Sequence, residues 1–175
     1  RSALPISRAW RFAETARRRG EPATVFIQPN MPVYREVSGR VMEILQRHGD
    51  AFEEASIDEA YLDLSSLENF AAAGEMVTRI KQQIRDREGL GCSVGVGPNK
   101  LIAKIASEIN KPNGQFEVTP DQVPGFMEKL PVRKIWGIGE KTEKKLEELG
   151  VKTCGELQRF SRPELVDLFG KFGVE

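Results

Sequence analysis

Two adjacent carboxylates, Asp58 and Glu59, interrupt an otherwise half-apolar β pattern in Ser56-Ile57-Asp58-Glu59-Ala60-Tyr61-Leu62-Asp63-Leu64. A buried carboxylate is costly unless it is paired, hydrogen-bonded or metal-bound. Neighbours on a regular strand point to opposite faces, so both acids can serve one centre only where the backbone bends or bulges. Two hard oxygen ligands at a bend, with phosphates completing the shell, are how proteins commonly hold magnesium. The chemistry that follows is metal-assisted phosphoryl or nucleotidyl transfer. A polar turn without any ligand uses the same residue pair, and spacing alone does not choose between the two readings. Asp63, farther along the run, reads as an ordinary strand carboxylate.

Two further constellations bear on phosphate. Cys92-Ser93-Val94-Gly95-Val96-Gly97-Pro98-Asn99-Lys100 is a strand ending in small residues, followed by a helix start carrying Asn99 and Lys100. Such a start offers free backbone N–H groups and a positive dipole to an anion. Lys104 shares the face of Lys100, and Lys111 sits at the far turn; a plain solvated helix face accounts for the same lysines. The segment contains no Walker-type GxxxxGK[ST], so an ordinary P-loop is excluded. Ile135-Trp136-Gly137-Ile138-Gly139-Glu140-Lys141-Thr142 has the form of a helix-hairpin-helix turn. Its glycines let the turn approach a phosphate closely, backbone N–H groups bind it, and Lys141 adds charge. A tight interhelical turn without ligand remains the alternative there. Trp136, flanked by Ile135 and Ile138, is expected to anchor the core.

These residues need elements to hold them. Pro5 to Ala13 predicts a basic helix closing near Gly20, and Thr24 to Gln28 predicts a short β-rich run. Val33, Val37, Val41, Ile44 and Leu45 share one face of an expected helix from about Val33 to His48. Phe52 to Ile57 and Ala60 to Ser65 predict a hairpin with Asp58-Glu59 at its bend. A helix through Met76, Ile80 and Ile84, a strand Gly91 to Val96 and a helix Asn99 to Ile109 follow. Lys111-Pro112-Asn113-Gly114 must turn, with Asn-Gly tolerant of positive φ, before a last strand at Phe116 to Thr119. From Pro120 on, short helices are punctuated by Pro and Gly. The expected fold class is α+β, a mostly antiparallel sheet with helices on one face, followed by a small all-helical domain.

At 175 residues and 39% hydrophobic, the chain can bury one core and a small second one. Lys plus Arg equals Asp plus Glu at 26 each, so bulk charge favours no partner class. Its distribution is uneven: residues 1–25 carry six Arg against two Glu, and residues 26–70 three Arg against nine acids. Cys92, Cys154 and the lone His48 suggest neither a zinc site nor a disulfide framework, which fits a reducing cytoplasm. No apolar run has the length of a membrane span.

Ser56 to Asp63, Ser93 to Ser107 and Lys111 to Gly114, in this order and spacing, resemble the palm of Y-family translesion DNA polymerases, most closely the DinB or DNA polymerase IV branch. Pro5-Ile6-Ser7 and Tyr34-Arg35-Glu36-Val37-Ser38 resemble the end of that family's fingers and its first palm helix. The resemblance implies a remnant of fingers over residues 1–22, a palm over 23–119 and a thumb with the helix-hairpin-helix over 120–175. It implies a template-directed polymerase with two Mg2+ ions, Asp58 as a metal ligand and Glu59 as the catalytic acid that also faces metal. Lys111 corresponds to a triphosphate-contacting lysine, with Lys104 assisting. Gly137, Ile138, Gly139, Lys141 and Lys100 are expected to contact DNA. The implied partners are primer-template DNA, deoxynucleoside triphosphates and a sliding clamp reached through a C-terminal segment, with the protein a monomer. The family's Asp-x-Asp-x-Phe-Phe-like opening strand, the front of its fingers and its little finger are not found. With Arg1 in place of Met, this reads as truncation, and the chain alone is expected to be inactive. A non-catalytic DNA-binding module and a palm-type nucleotide cyclase are the competing readings, and the cyclase leaves the helix-hairpin-helix unexplained.

Overall fold

The structure is a computed structural model and describes residues 4–173. The chain divides into two compact units at Arg35/Glu36.

In the first unit, α1 (Ile6–Arg18) follows Pro5, whose fixed φ suits a helix entrance, and ends with Arg17 and Arg18 in its last turn, where cations favour the helix dipole. Trp10 lies against Phe26 with ring centroids 5.5 Å apart. The β-rich run Thr24 to Gln28 carries no ladder. Strand propensity is realised only where a partner takes up the backbone groups, and no described strand pairs with this run. Its Val25 and Ile27 side chains are exposed. Helix α2 (Met31–Gln46) runs across the division.

The second unit begins with the remainder of α2, where Ile44 is buried and Val41 and Leu45 pack beside it, as the periodicity predicts; Met42, outside the expected stripe, is also buried. Strands β1 (Ala51–Ser56) and β2 (Glu59–Asp63) form the expected antiparallel hairpin, with Ser56 opposite Glu59 and a register irregularity between Glu54 and Ser56. Helix α3 (Phe70–Glu88) is capped by Asn69, whose side chain accepts from the Ala72 N–H, and ends at Gly89 with φ 67°. Its Ile80 and Ile84 meet Ile44, while its Ala73 and Val77 meet Val96.

Strand β3 (Val94–Val96), helix α4 (Lys100–Ser107) and strand β4 (Gln115–Glu117) then form a β-α-β unit in which β3 and β4 pair in parallel. The sheet read from the sequence as mostly antiparallel is thus two two-stranded ladders among the described residues, one of each kind. A helix returning the chain to the starting end of β3 requires parallel pairing. Asn113 takes φ 54° in the turn before β4, the positive φ anticipated for Asn-Gly. The Lys81 ammonium, on α3, pins this turn by donating to the carbonyls of Asn113 (2.9 Å) and Gly114 (2.7 Å).

Apolar packing continues from α4 into the helical segment. Ile102 and Ala106 meet Val118 with Phe126 alongside, and Ile105 meets Leu130 and Cys154. The elements here are α5 (Val123–Lys129), a 3-10 turn at Val132–Lys134, α6 (Glu140–Glu148), α7 (Cys154–Leu157), α8 (Arg162–Phe169) and a 3-10 turn at Gly170–Gly173. Val132, Leu146 and Val151 form its core.

Two capping groups give measurable expectations. Asn99 precedes α4 and accepts from the Ile102 N–H at 3.0 Å; Asn99→Ala should cost about 1 kcal/mol of unfolding free energy, and an unchanged urea midpoint would refute the capping role. Glu156 of α7 accepts from the backbone N–H groups of Lys152 (2.6 Å) and Thr153 (3.0 Å). These bonds hold its carboxyl below the usual glutamate range. A depressed folded-state pKa stabilises above the unfolded value, roughly pH 4.3, and that stabilisation disappears as pH falls through the lower folded value. Glu156→Gln should therefore melt below wild type at neutral pH, with the gap closing in acid; a gap independent of pH would show that charge is irrelevant there.

Candidate functional site

The hairpin end is built as the carboxylate pair demands. Ile57 and Asp58 are the two turn residues, and Glu59 is the first residue of β2. Ser56 Oγ donates to Asp58 Oδ1 at 2.7 Å, which fixes the Asp58 side chain over the turn. Both acids are exposed, so burial cost does not argue for a ligand; their placement at one bend remains the pertinent fact. Asp63 lies at the other end of β2, opposite Ala51. Its Oδ1 accepts from the Ser65 N–H (2.9 Å) and hydroxyl (2.5 Å), bonds that pull its pKa below the ordinary value. Asp63 thus closes the strand end, as its position in the run suggests.

Helix α4 presents its lysines to this hairpin. Lys104 pairs with Glu59, and Lys100 pairs with Glu53 of β1 while lying 5.5 Å from the centre of the Tyr61 ring. The i, i+4 spacing therefore does set Lys100 and Lys104 on one face, and that face meets acids of the hairpin. Partial burial lowers the Lys104 pKa, but the hydrogen bond and charge of Glu59, followed by Glu108 and Tyr61, outweigh it and leave the ammonium raised. Lys111 pairs with Glu108 at 2.5 Å. That hydrogen bond, ahead of opposing burial and the charges of Lys111, Lys104 and Lys134, lowers the Glu108 pKa. Glu59, Lys104, Glu108 and Lys111 thus form a run of alternating charge from the hairpin to the Lys111–Gly114 turn. Glu53 is not evident from the sequence because its partner Lys100 lies 47 residues away, whereas the i, i+3 spacing of Glu108 and Lys111 is a signal that could have found Glu108.

Two carboxylates suit a magnesium ion, which usually takes one or two from the protein and the rest from phosphate and water. No group of three His, Cys, Asp or Glu able to hold a metal occurs among the described residues, so the pair is not a closed protein cage.

The helical segment carries the second candidate surface. Gly137 has φ 95°, a conformation that favours glycine, and Gly139 stands at the entrance of α6 without a side-chain cap. The N–H groups of the first turn of α6 therefore have no helical acceptor. Arg133, from the preceding 3-10 turn, donates to the Ile138 carbonyl and pairs with Glu143 at 3.2 Å, closing the hairpin. Glu140 is paired with Lys144 at 3.0 Å, and that hydrogen bond holds its carboxyl below the ordinary value. Both acids near the α6 entrance thus have cationic partners, and Lys141 is exposed beside them. Arg133 was missed in the sequence reading, although its spacing to Glu143 across the hairpin could have suggested it. Trp136 reverses its expectation as a core anchor: it is 84% exposed, the half-buried Ile135 and Ile138 turning inward on either side.

A mixed α/β body of short ladders leading into a helix-hairpin-helix is the architecture of DinB-like Y-family polymerases. DinB from Sulfolobus solfataricus superposes with a TM-score of 0.89 at 34% identity over 99% of this chain and 49% of that one. Dbh DNA polymerase, in an insertion ternary complex, does so with 0.87 at 35% identity, again over 99% and 49%. Residues 3–108 match the impB/mucB/samB family, residues 120–151 match the IMS family HHH motif, and the chain belongs to that family. DNA polymerase IV of Shewanella woodyi is 43% identical over 153 residues, 87% of this chain and 42% of the relative. DNA polymerase IV of Methanoculleus marisnigri is 43% identical over 173 residues, 99% and 46% respectively. The chain spans less than half the length of these curated relatives. Among the described residues no helix is long and apolar enough to cross a membrane.

Proposed function

We propose that the protein carrying this chain is a DNA-directed DNA polymerase of the translesion type, adding deoxynucleotides to a primer by two-metal nucleotidyl transfer. The observation that carries this is the Asp58-Glu59 pair at one hairpin end, faced by Lys104 and followed in the same chain by a helix-hairpin-helix. In this reading residues 1–22 end the fingers, 23–119 are palm and 120–175 thumb. Asp58 and Glu59 hold the metal. The chemistry that magnesium supplies when bound is activation of the attacking hydroxyl and neutralisation of the departing pyrophosphate. Lys104 and Lys111 exchange their glutamate partners for the triphosphate, as point charges suited to phosphate. The turn Gly137-Ile138-Gly139 offers backbone N–H groups to a DNA phosphate, with Lys141 adjacent and Lys100 reaching the same ligand from the palm. Such contacts give salt-sensitive affinity without reading sequence.

The accompanying expectations are a sliding-clamp partner, a monomeric state and a cytoplasmic location. The 175-residue chain alone should extend primers poorly, since the resemblance calls for a further metal carboxylate and a steric gate. The deciding experiment is primer extension with magnesium and single deoxynucleotides by the full-length gene product, beside DNA binding at several salt concentrations. Extension supports the polymerase; salt-sensitive binding with no extension would leave a non-catalytic DNA-binding module in its place.

A further inference from the structure

Trp136 is the most exposed of the large apolar side chains on the described chain, at 84%. Single exposed apolar residues are ordinary on protein surfaces, but tryptophan is on average one of the better buried types, and its position here is particular. It stands in the hairpin turn, directly before Gly137 with φ 95° and three residues before the uncapped entrance of α6. Its neighbours Ile135 and Ile138 take the inward positions. The Ile138 N–H donates to the Ile135 carbonyl at 3.2 Å and Arg133 donates to the Ile138 carbonyl, so the turn is closed around a projecting indole. Exposed Lys134 and Lys141 flank it in sequence, and the nearby acids Glu140 and Glu143 are paired with Lys144 and Arg133. The surface around the indole is therefore one an anionic polymer with apolar faces would fit.

We propose that Trp136 is a DNA-contact residue, seating its indole against the apolar sugar face of the strand whose phosphate meets the amino end of α6. This rests on the helix-hairpin-helix being a DNA-binding element. It adds an uncharged contact to the charged one: Lys141 contributes counterion release, whereas Trp136 contributes flat apolar area that salt does not screen.

The chain holds two tryptophans, so Trp10→Phe leaves Trp136 as its sole indole. In that background a short primer-template duplex should quench the fluorescence saturably, at the concentrations where fluorescence anisotropy of a labelled duplex reports binding. Trp136→Ala should weaken binding roughly five- to tenfold, near the low end for loss of an aromatic platform, while leaving the slope of log affinity against log salt unchanged. Lys141→Ala should reduce that slope by about one. Trp136→Phe should recover most of the affinity, and neither Trp136 variant should alter the melting temperature, since the ring is exposed. Binding that keeps its Lys141-dependent slope, with an unquenched indole and wild-type affinity in Trp136→Ala, overturns the Trp136 contact and leaves the DNA-binding element standing. Absence of any salt-sensitive binding removes that element and the inference with it. Quenching that depends on protein concentration without DNA would assign the indole to a second copy of the chain and overturn the proposal.

Discussion

Glu59→Gln in the full-length gene product is expected to reduce primer extension in magnesium by about a thousandfold or more, while primer-template affinity stays within about threefold. The amide has the shape of the carboxylate but not its charge, so the hairpin, whose Ser56–Glu59 pairing runs through the backbone, should keep its register. Two deficits are introduced together. A hard anionic oxygen is lost where the proposed metal would sit, and Lys104 loses the partner that holds its ammonium at the hairpin. Charge stabilisation by a bound metal is worth several kcal/mol in the transition state, and each 1.4 kcal/mol is about a factor of ten in rate. The readout is single-turnover incorporation with saturating enzyme, which separates chemistry from binding. A loss of less than tenfold would show that Glu59 is an ion-pair residue of the fold and would move the catalytic assignment elsewhere.

Gly95→Ala is expected to destabilise the second compact unit by about 3 kcal/mol or more, or to prevent it from folding. A Cβ at Gly95 would stand 2.0 Å from the Ala103 carbonyl oxygen, 2.4 Å from the Ser107 nitrogen and 2.8 Å from the Ala106 Cβ. Two of these are backbone atoms of α4, so no side-chain rotation relieves the clash; the helix itself would have to leave β3. Ile102, Ile105 and Ala106, which join α4 to Val118, Leu130 and Cys154, would move with it. Gly125→Ala is the fitting control, because nothing lies within 4 Å of its added Cβ and its φ is not positive. Chemical denaturation monitored by circular dichroism measures both variants. A Gly95→Ala midpoint equal to wild type would mean that β3 and α4 do not approach as closely as described.

The local elements were legible because their signals are local. The α2 and α3 helices follow from apolar spacing, the start of α4 from Asn99, and the β1–β2 hairpin from two short β runs around Asp58-Glu59. What escaped depends on partners remote in sequence. Thr24 to Gln28 has strand composition but no described ladder, and the parallel pairing of β3 with β4 depends on how α4 returns the chain. The apolar neighbours of Trp136 do not share its environment, because in an irregular turn adjacent side chains need not share a face. In the candidate site, the types of Glu59, Lys104 and Lys100 were evident, but their pairing across 45 and 47 residues was not.

The alternating run Glu59, Lys104, Glu108, Lys111 has as many positive as negative members. Long-range attraction toward a solitary polyanion is therefore small at this end of the β1–β2 hairpin, where exposed Asp58, held by the Ser56 hydroxyl, adds one further carboxylate. A triphosphate arriving alone must detach an ammonium from a carboxylate and leave that carboxylate unmatched. A nucleotide already carrying its magnesium avoids that mismatch, since each carboxylate and each ammonium can be matched by the incoming pair in a single exchange. On the proposed reading, the affinities of metal and triphosphate are thermodynamically linked: each should tighten the other, and the paired lysines should discriminate against a triphosphate without its magnesium.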